Sequence, residues 1–340
     1  MNLLFLLSKR LRESALGKMI TDLQERQRIA DALGVTTITL TRWATKKSNP
    51  RMESLRLLLR TLPSHRQQFI ELIQEEFPNF MVEDVSAEKT LQEIPSAFYD
   101  RVLRAYASSP PLLRASSIRI TILQQILSHL DPTQFGLAIS ISQCILPSAR
   151  QKVRSLREEM GRGNLPWRSH LENRTQFLGI ESLPGYAVST GHAVVVQSRE
   201  EKSFLFPTHH VTWEQSAVAQ PLLLSDRITG CLYISSTQQN YFSEARQYLI
   251  RSYADLLLLA FEHDQFYNIE QIALGTMPPY EIQKPYLARF QQRVVQHMIQ
   301  ATQQNQPVTR LQAELLVTQK LEKELLLLPY EIDNTPLECE

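Results

Sequence analysis

The residues of this chain best suited to chemistry fall in two stretches. Between 26 and 51 stand Arg26, Thr36, Thr37, Ile38, Thr41, Arg42, Lys46, Lys47 and Arg51. Hydroxyls, guanidinium groups and lysines at that density suit contact with a polyanion better than proton transfer. Between 167 and 213 stand Trp167, Phe177, Tyr186, His192, Phe204, Phe206, His209, His210 and Trp213, a dense aromatic and imidazole supply. The same aromatics equally suit the core of a ligand-free fold.

Other chemistries lack their residues. The three cysteines, Cys144, Cys231 and Cys339, form no CxxC pair and are odd in number, so a disulfide framework is not expected. Cys144 and Cys231 read as small apolar fillers. His209 and His210 are adjacent and would point apart on a strand, with no acidic or cysteine partner spaced nearby, so no metal site is expected. Glycine is scarce, 10 in 340 residues, and neither GxxxxGK[ST] nor GxGxxG occurs. No nucleophile elbow or spaced carboxylate pair points to an enzyme, and no cofactor is expected. The opening MNLLFLLSKR has an apolar run too short for a signal-peptide core, and no run approaches a membrane span. A cytoplasmic protein is the expectation.

Charge separates the chain into two parts. Residues 1–66 hold 13 Lys/Arg against 5 Asp/Glu, a local balance of +8, so the remainder carries −7 of the overall +1. A basic segment on a mildly acidic body fits nucleic acid at the basic end, though a solvated basic face is the plain alternative.

The elements that must position these residues follow from periodicity. Residues 8–61 read as short helices and 62–77 as an amphipathic helix. Residues 78–95 read as a polar linker. Two helices are expected from Ser96 to about Leu130, broken at 108–111 and stopped by Asp131-Pro132. Leu112, Ile118, Ile122, Ile126 and Leu130 lie along one side of the second. Residues 135–147 alternate like a strand, a helical-looking segment runs to about Met160, and 192–197 is a strand. Residues 217–236 form a hairpin about Ser225-Asp226, and 241–263 an amphipathic helix with Ser243 as N-cap. After Gln265 the strands stop and two further helices follow.

Residues 26–46 meet the requirements of a helix-turn-helix. RQRIADALGV places Ile29, Ala30 and Leu33 inward and Gly34 in the turn, where an unusual backbone angle is needed. TTITLTRWATK turns Leu40 and Trp43 inward and leaves Thr37, Ile38, Thr41 and Arg42 outward. On these motifs IADALGVTTITLTRWATKKSNPRMESLRLLL resembles the Cro/λ-repressor, or XRE-like, helix-turn-helix family. The resemblance implies that Thr37, Ile38, Thr41 and Arg42 face base edges in a major groove. It also implies that Thr36 touches phosphate at the helix start, and that Arg26, Lys46, Lys47 and Arg51 hold phosphates.

The run from 96 to 265 resembles a GAF domain, a small-molecule sensory and dimerisation fold. Three segments carry the likeness: LLRASSIRITILQQILSHLDPTQFGLAIS, AQPLLLSDRITGCLYISS and FSEARQYLIRSYADLLLLAFE. The resemblance implies an antiparallel sheet with helices on one face and a pocket on the other. Trp167, Phe177, Tyr186, His192, Phe204 and Trp213 are then candidate ligand-binding residues.

The expected organisation is thus an α+β multidomain chain. Residues 1–77 are an all-α helix-turn-helix domain, 78–95 a linker, 96–265 a GAF-like antiparallel sheet flanked by helices, and 266–340 a helical C-terminal region. The leading expectation is a DNA-binding transcriptional regulator that acts as a homodimer on double-stranded DNA and answers to a small-molecule effector. The alternative is a signalling or interaction protein whose GAF-like and C-terminal parts bind a protein partner, with constitutive or no DNA binding.

Overall fold

The computed structural model describes residues 23–44, 54, 93–148, 151–167 and 176–328. Lys46, Lys47 and Arg51 lie outside them.

Near the N-terminus, α1 (Leu23–Ala32) and α2 (Thr37–Ala44) are joined by a short turn. Gly34 takes φ +63° there, and the Val35 N–H reaches back 3.0 Å to the Ala30 carbonyl. A left-handed residue at this point is what lets the last carbonyls of α1 find partners. Thr36 starts α2 as a cap: its Oγ1 accepts the Thr39 N–H at 3.2 Å. Ile29, Ala30, Leu33, Leu40 and Trp43 are buried, as their spacing demands.

The body begins with α3 (Ser96–Ser108) and α4 (Pro111–Leu130), separated by the expected proline break. β1 (Leu137–Cys144) follows, then β2 (Leu156–Gly163) and β3 (Phe177–Leu178). Next come α5 (Leu183–Thr190), β4 (Val194–Val196), α6 (Arg199–Leu205), β5 (Ser216–Leu224), β6 (Arg227–Ser236) and α7 (Glu244–Leu257). β7 (Tyr267–Asn268) precedes α8 (Tyr280–Leu287), α9 (Phe290–Gln303) and α10 (Arg310–Leu326). The strands form one antiparallel sheet in the order β3-β2-β1-β6-β5-β4, with β7 paired to β6.

Alternation along the strands sends two different sets of side chains to the two faces. Leu137, Ile139 and Ile141 of β1, with Leu232 and Ile234 of β6, meet α3, α4 and α7. There Ile118, Ile122 and Ile126 are buried, so the α4 stripe read from spacing is the core-facing one. Cys144 and Cys231 share a second cluster with α5 and β4, among Leu156, Leu183, Ala187 and Val196. Both are buried free thiols, and burial raises the pKa of each. β6 closes against β1 at Gly230, where an added Cβ would stand 2.1 Å from the Ser142 carbonyl oxygen.

Several expectations change. The segment up to Met160 is not helical: Leu156–Gly163 is β2, paired to β1 on one side and to β3 on the other. The run Arg157-Glu158-Glu159-Met160 favours a helix locally, but ladder pairing on both edges overrides that preference. Strands do not stop at Gln265, because β7 adds two residues beside β6. Among its described residues the C-terminal region has three helices rather than two, since the chain turns at Ala288-Arg289 between α8 and α9. Ser243 does sit at the N-cap of α7, yet its hydroxyl makes no capping bond.

The C-terminal helices pack directly onto the sheet end. Phe290, Val294, Ala313, Val317, Leu321 and Leu325 bury against Ile145, Phe177 and Met277. Polar contacts fasten the same junction. Ser155 Oγ donates to Glu322 Oε1 at 2.6 Å, and Arg157 donates to Thr318 at 3.0 Å. The Gln283 side-chain amide does what a neighbouring strand would do for β3. Its Oε1 accepts the Phe177 N–H at 2.8 Å and its Nε2 donates to the Phe177 carbonyl at 2.8 Å. This satisfies the outermost strand's exposed backbone groups and blunts the sheet edge.

Candidate ligand-binding site

On the sheet face away from α3 and α4, the strands carry small and polar side chains. Ala138 and Ser140 of β1 and Tyr233 and Ser235 of β6 project there. Small residues leave space, and the surrounding segments arch over it. The result is a cavity of about 310 Å³. Its walls come from Trp167 after β2, Leu178 of β3, the Thr208–Thr212 segment, and Pro279, Tyr280 and Glu281 at the start of α8.

A buried ionic cluster supports one side of it. Glu214 accepts hydrogen bonds from Lys202 Nζ, from the Tyr233 hydroxyl at 2.6 Å and from Ser235 Oγ. Lys202 Nζ also donates to the Tyr233 oxygen at 3.0 Å. Such a pair tolerates burial only because its polar atoms are matched. Burial pushes the Lys202 pKa down, against the pull of Glu214. Burial first, and then the Glu214 charge, pushes the Tyr233 phenol well up, so it stays a neutral donor.

The imidazoles are held neutral as well. His209 is buried, its ring 5.6 Å from that of Tyr233. Desolvation, helped by the Lys202 charge, drives its pKa well below the usual histidine value. His210 is lowered for the same reasons in the same order. Trp167 is 3% exposed and packs edge-to-face on Trp213 at 6.5 Å, and its buried indole N–H has no hydrogen-bond partner among the described residues.

Of the six aromatic and histidine candidates, Trp167 lines this cavity. Trp213 backs it through the ring contact. Phe177 is buried in the junction with the C-terminal helices. Tyr186 lies on α5 with its ring against Phe206. His192 is exposed and bonded to the Thr190 carbonyl, and Phe204 is 86% exposed on α6. Spacing could not separate these positions, because the stretch folds through short helices and turns without a single period. Sequence reasoning also missed Lys202 and Glu214, whose surroundings in the chain look like solvated charge. It missed the contribution of Pro279 and Tyr280 entirely. Their signal was an aromatic after two prolines, a rigid segment of the kind that makes a wall.

A second, more open concavity of about 540 Å³ lies between the end of β1, Glu262–Tyr267 and α10. Among the described residues no group of three or more His, Cys, Asp or Glu could hold a metal ion. No helix among them is long and apolar enough to cross a membrane.

At the N-terminal pair, Ile38 is 71% exposed and Arg42 is exposed, while Leu40 and Trp43 are buried. Thr41 is half-buried and donates to the Thr37 carbonyl at 2.8 Å. Thr37 and Arg26 are half-buried, and Thr36 is exposed as the cap.

A curled antiparallel sheet flanked by helices and followed by C-terminal helices is consistent with a GAF-like fold. No protein-family model matches the chain, and no curated protein sequence matches it. Solved structures show a weak, distant similarity. The GAF domain of an Acinetobacter phosphoenolpyruvate-protein phosphotransferase is 14% identical, with a TM-score of 0.35 over 49% of this chain and 93% of that one. The free methionine-R-sulfoxide reductase of Neisseria meningitidis, in complex with its substrate, is 15% identical, with a TM-score of 0.32 over 52% and 97%. A Staphylococcus aureus fRMsr in complex with substrate is 16% identical, with a TM-score of 0.31 over 50% and 99%.

Proposed function

We propose that this chain is a sensory and interaction protein, without a catalytic role. Its α/β body takes a small molecule in the 310 Å³ cavity, and its C-terminal helices carry the bound state to a protein partner. One observation supports this most: the first turn of α8 forms part of the cavity wall. A ligand touching Pro279 and Tyr280 acts on a helix that Gln283 and Glu181 tie to the sheet. Glu181 does so by accepting the Gly179 and Met277 N–H groups, each at 2.8 Å. A ligand shifts such a junction only as far as its affinity differs between the two arrangements.

The test is thermal unfolding of the full chain against a panel of small metabolites. A ligand at about 100 times its Kd adds about 2.7 kcal/mol, a shift of roughly 5–10 °C for a body of this size. Ala138→Phe fills the cavity and should abolish the shift. No shift with any compound, or an equal shift in the variant, removes this reading.

A second reading has its own observation. Ile38 and Arg42 stand out from α2 while Leu40 and Trp43 hold it down, the arrangement a DNA-reading helix needs. On this reading the chain is a transcriptional regulator acting as a homodimer on double-stranded DNA. Anisotropy of labelled duplexes tests it. Arg42→Ala should weaken sequence-selective binding by about 1–3 kcal/mol. Equal, weak binding of every duplex by both proteins leaves the first reading alone.

A further inference from the structure

The chemistry of the cavity wall narrows what it can hold, and this step rests on the ligand-binding reading above. Among the described residues that line it there is no Lys or Arg. Lys202, the buried cation behind Tyr233, is already committed to Glu214. An anion entering here would shed water and find no Lys or Arg among those described lining residues, which is costly. The two lining carboxylates are engaged as well: Glu158 accepts from Gln176 Nε2 at 3.1 Å, and the exposed Glu281 pairs with Lys284 at 3.6 Å. Among the described residues that line it, the buried side-chain polar atom without a partner is the Trp167 indole N–H, with Leu178 and Pro279 supplying apolar surface in the same wall. A buried donor without a partner is rare in folded proteins and marks a place where a ligand or water completes the bond.

We propose that the cavity binds an uncharged small molecule with a carbonyl-type acceptor that takes the Trp167 indole N–H, and a flat or apolar flank that fills the rest. Specificity against charged analogues comes from desolvation: among its described residues the wall offers a neutral donor and no unmatched charge. Rejection of analogues without the acceptor comes from leaving that N–H unpaired.

An isosteric probe series tests this with the full chain. Benzamide carries a neutral carbonyl, benzoate a negative charge, benzamidinium a positive one, and α-methylstyrene no acceptor. Titrations followed by ligand-observed NMR should rank benzamide first. Trp167→Phe keeps the ring and removes the N–H, and should weaken benzamide about three- to tenfold, the worth of one hydrogen bond. It should leave α-methylstyrene unchanged. Trp213→Phe, which alters the packing partner but not the donor, should leave the ranking intact and controls for a loosened wall. Tighter binding of benzoate or benzamidinium than of benzamide overturns the inference, as does an unchanged benzamide affinity in Trp167→Phe. Saturable binding by none of the four removes the ligand-site reading itself, and this inference with it.

Discussion

Gln283 is 2% exposed and makes three hydrogen bonds that no other side chain supplies. Its Oε1 accepts the Phe177 N–H, and its Nε2 donates to the carbonyls of Phe177 and of Pro278, the last at 2.7 Å. Gln283→Ala removes all three and strands one buried donor and two acceptors. A stranded buried group costs about 1–3 kcal/mol. Water entering the space left by the side chain recovers part of that, so the net loss should be about 3–5 kcal/mol. Gln283→Glu separates the hydrogen bonds from the packing. One carboxylate oxygen still accepts the Phe177 N–H, but the other now faces two carbonyls where a donor stood. The folded protein therefore favours the protonated acid, and the pKa at 283 rises above the unfolded value of about 4.3. The sign follows. Below about pH 4.3 the acid is protonated in both states, and the variant comes closest to wild type. As pH rises through that value the unfolded state ionises first, and the deficit grows until the folded acid also ionises. Urea unfolding followed by tryptophan fluorescence at several pH values gives the deficit. Amide exchange at Phe177 reports the edge itself. A loss below about 1 kcal/mol in Gln283→Ala with unchanged Phe177 exchange, or a Gln283→Glu deficit independent of pH, would refute the view that this side chain acts as the missing strand.

Two further outcomes are expected. Lys202→Met leaves the buried Glu214 charge without its cation, held only by the Tyr233 and Ser235 hydroxyls, and should cost about 3–5 kcal/mol. The double variant Lys202→Met with Glu214→Leu should regain most of it in the same urea assay, and a double variant no better than the single would refute the pairing. His209 is held neutral, with its folded pKa below the unfolded value near 6.5. Its neutral form therefore contributes stability that is full above about pH 6.5 and declines as pH falls and the unfolded chain gains the proton. His209→Gln should flatten that part of the stability–pH curve relative to wild type, and an unaltered slope would refute the assignment.

How much of this was legible depends on the range of the interactions involved. The α4 stripe, the β5–β6 hairpin about Ser225-Asp226 and the Gly34 turn depend on neighbours within a few residues. Their periods and turn residues are therefore written locally. β2 is the opposite case: Arg157-Glu158-Glu159-Met160 carries a helical local preference, and only pairing with β1 and β3 makes it a strand. The site divides in the same way. Trp167 could be picked out because a tryptophan in an irregular stretch is conspicuous. Lys202 and Glu214 could not, because a charged residue in a polar helix, or in the turn before a strand, gives no sign that it will be buried. Phe204 shows the converse error, since an aromatic side chain signals burial and this one points to solvent.

By itself, then, the amino-acid sequence determined the buried face of α4, the β5–β6 hairpin, the Gly34 turn, and the split between a basic N-terminal part and an acidic remainder. Those properties follow from residue type and spacing along one segment. Tertiary structure alone decided that small residues on β1 and β6 leave a cavity, and that α8, more than 100 residues downstream of β1, walls it. It alone set Gln283 beside Phe177 and Glu214 beside Lys202. Each of these is a contact between segments distant in the chain, whose energy exists only when the whole body has closed and water has been removed from between them.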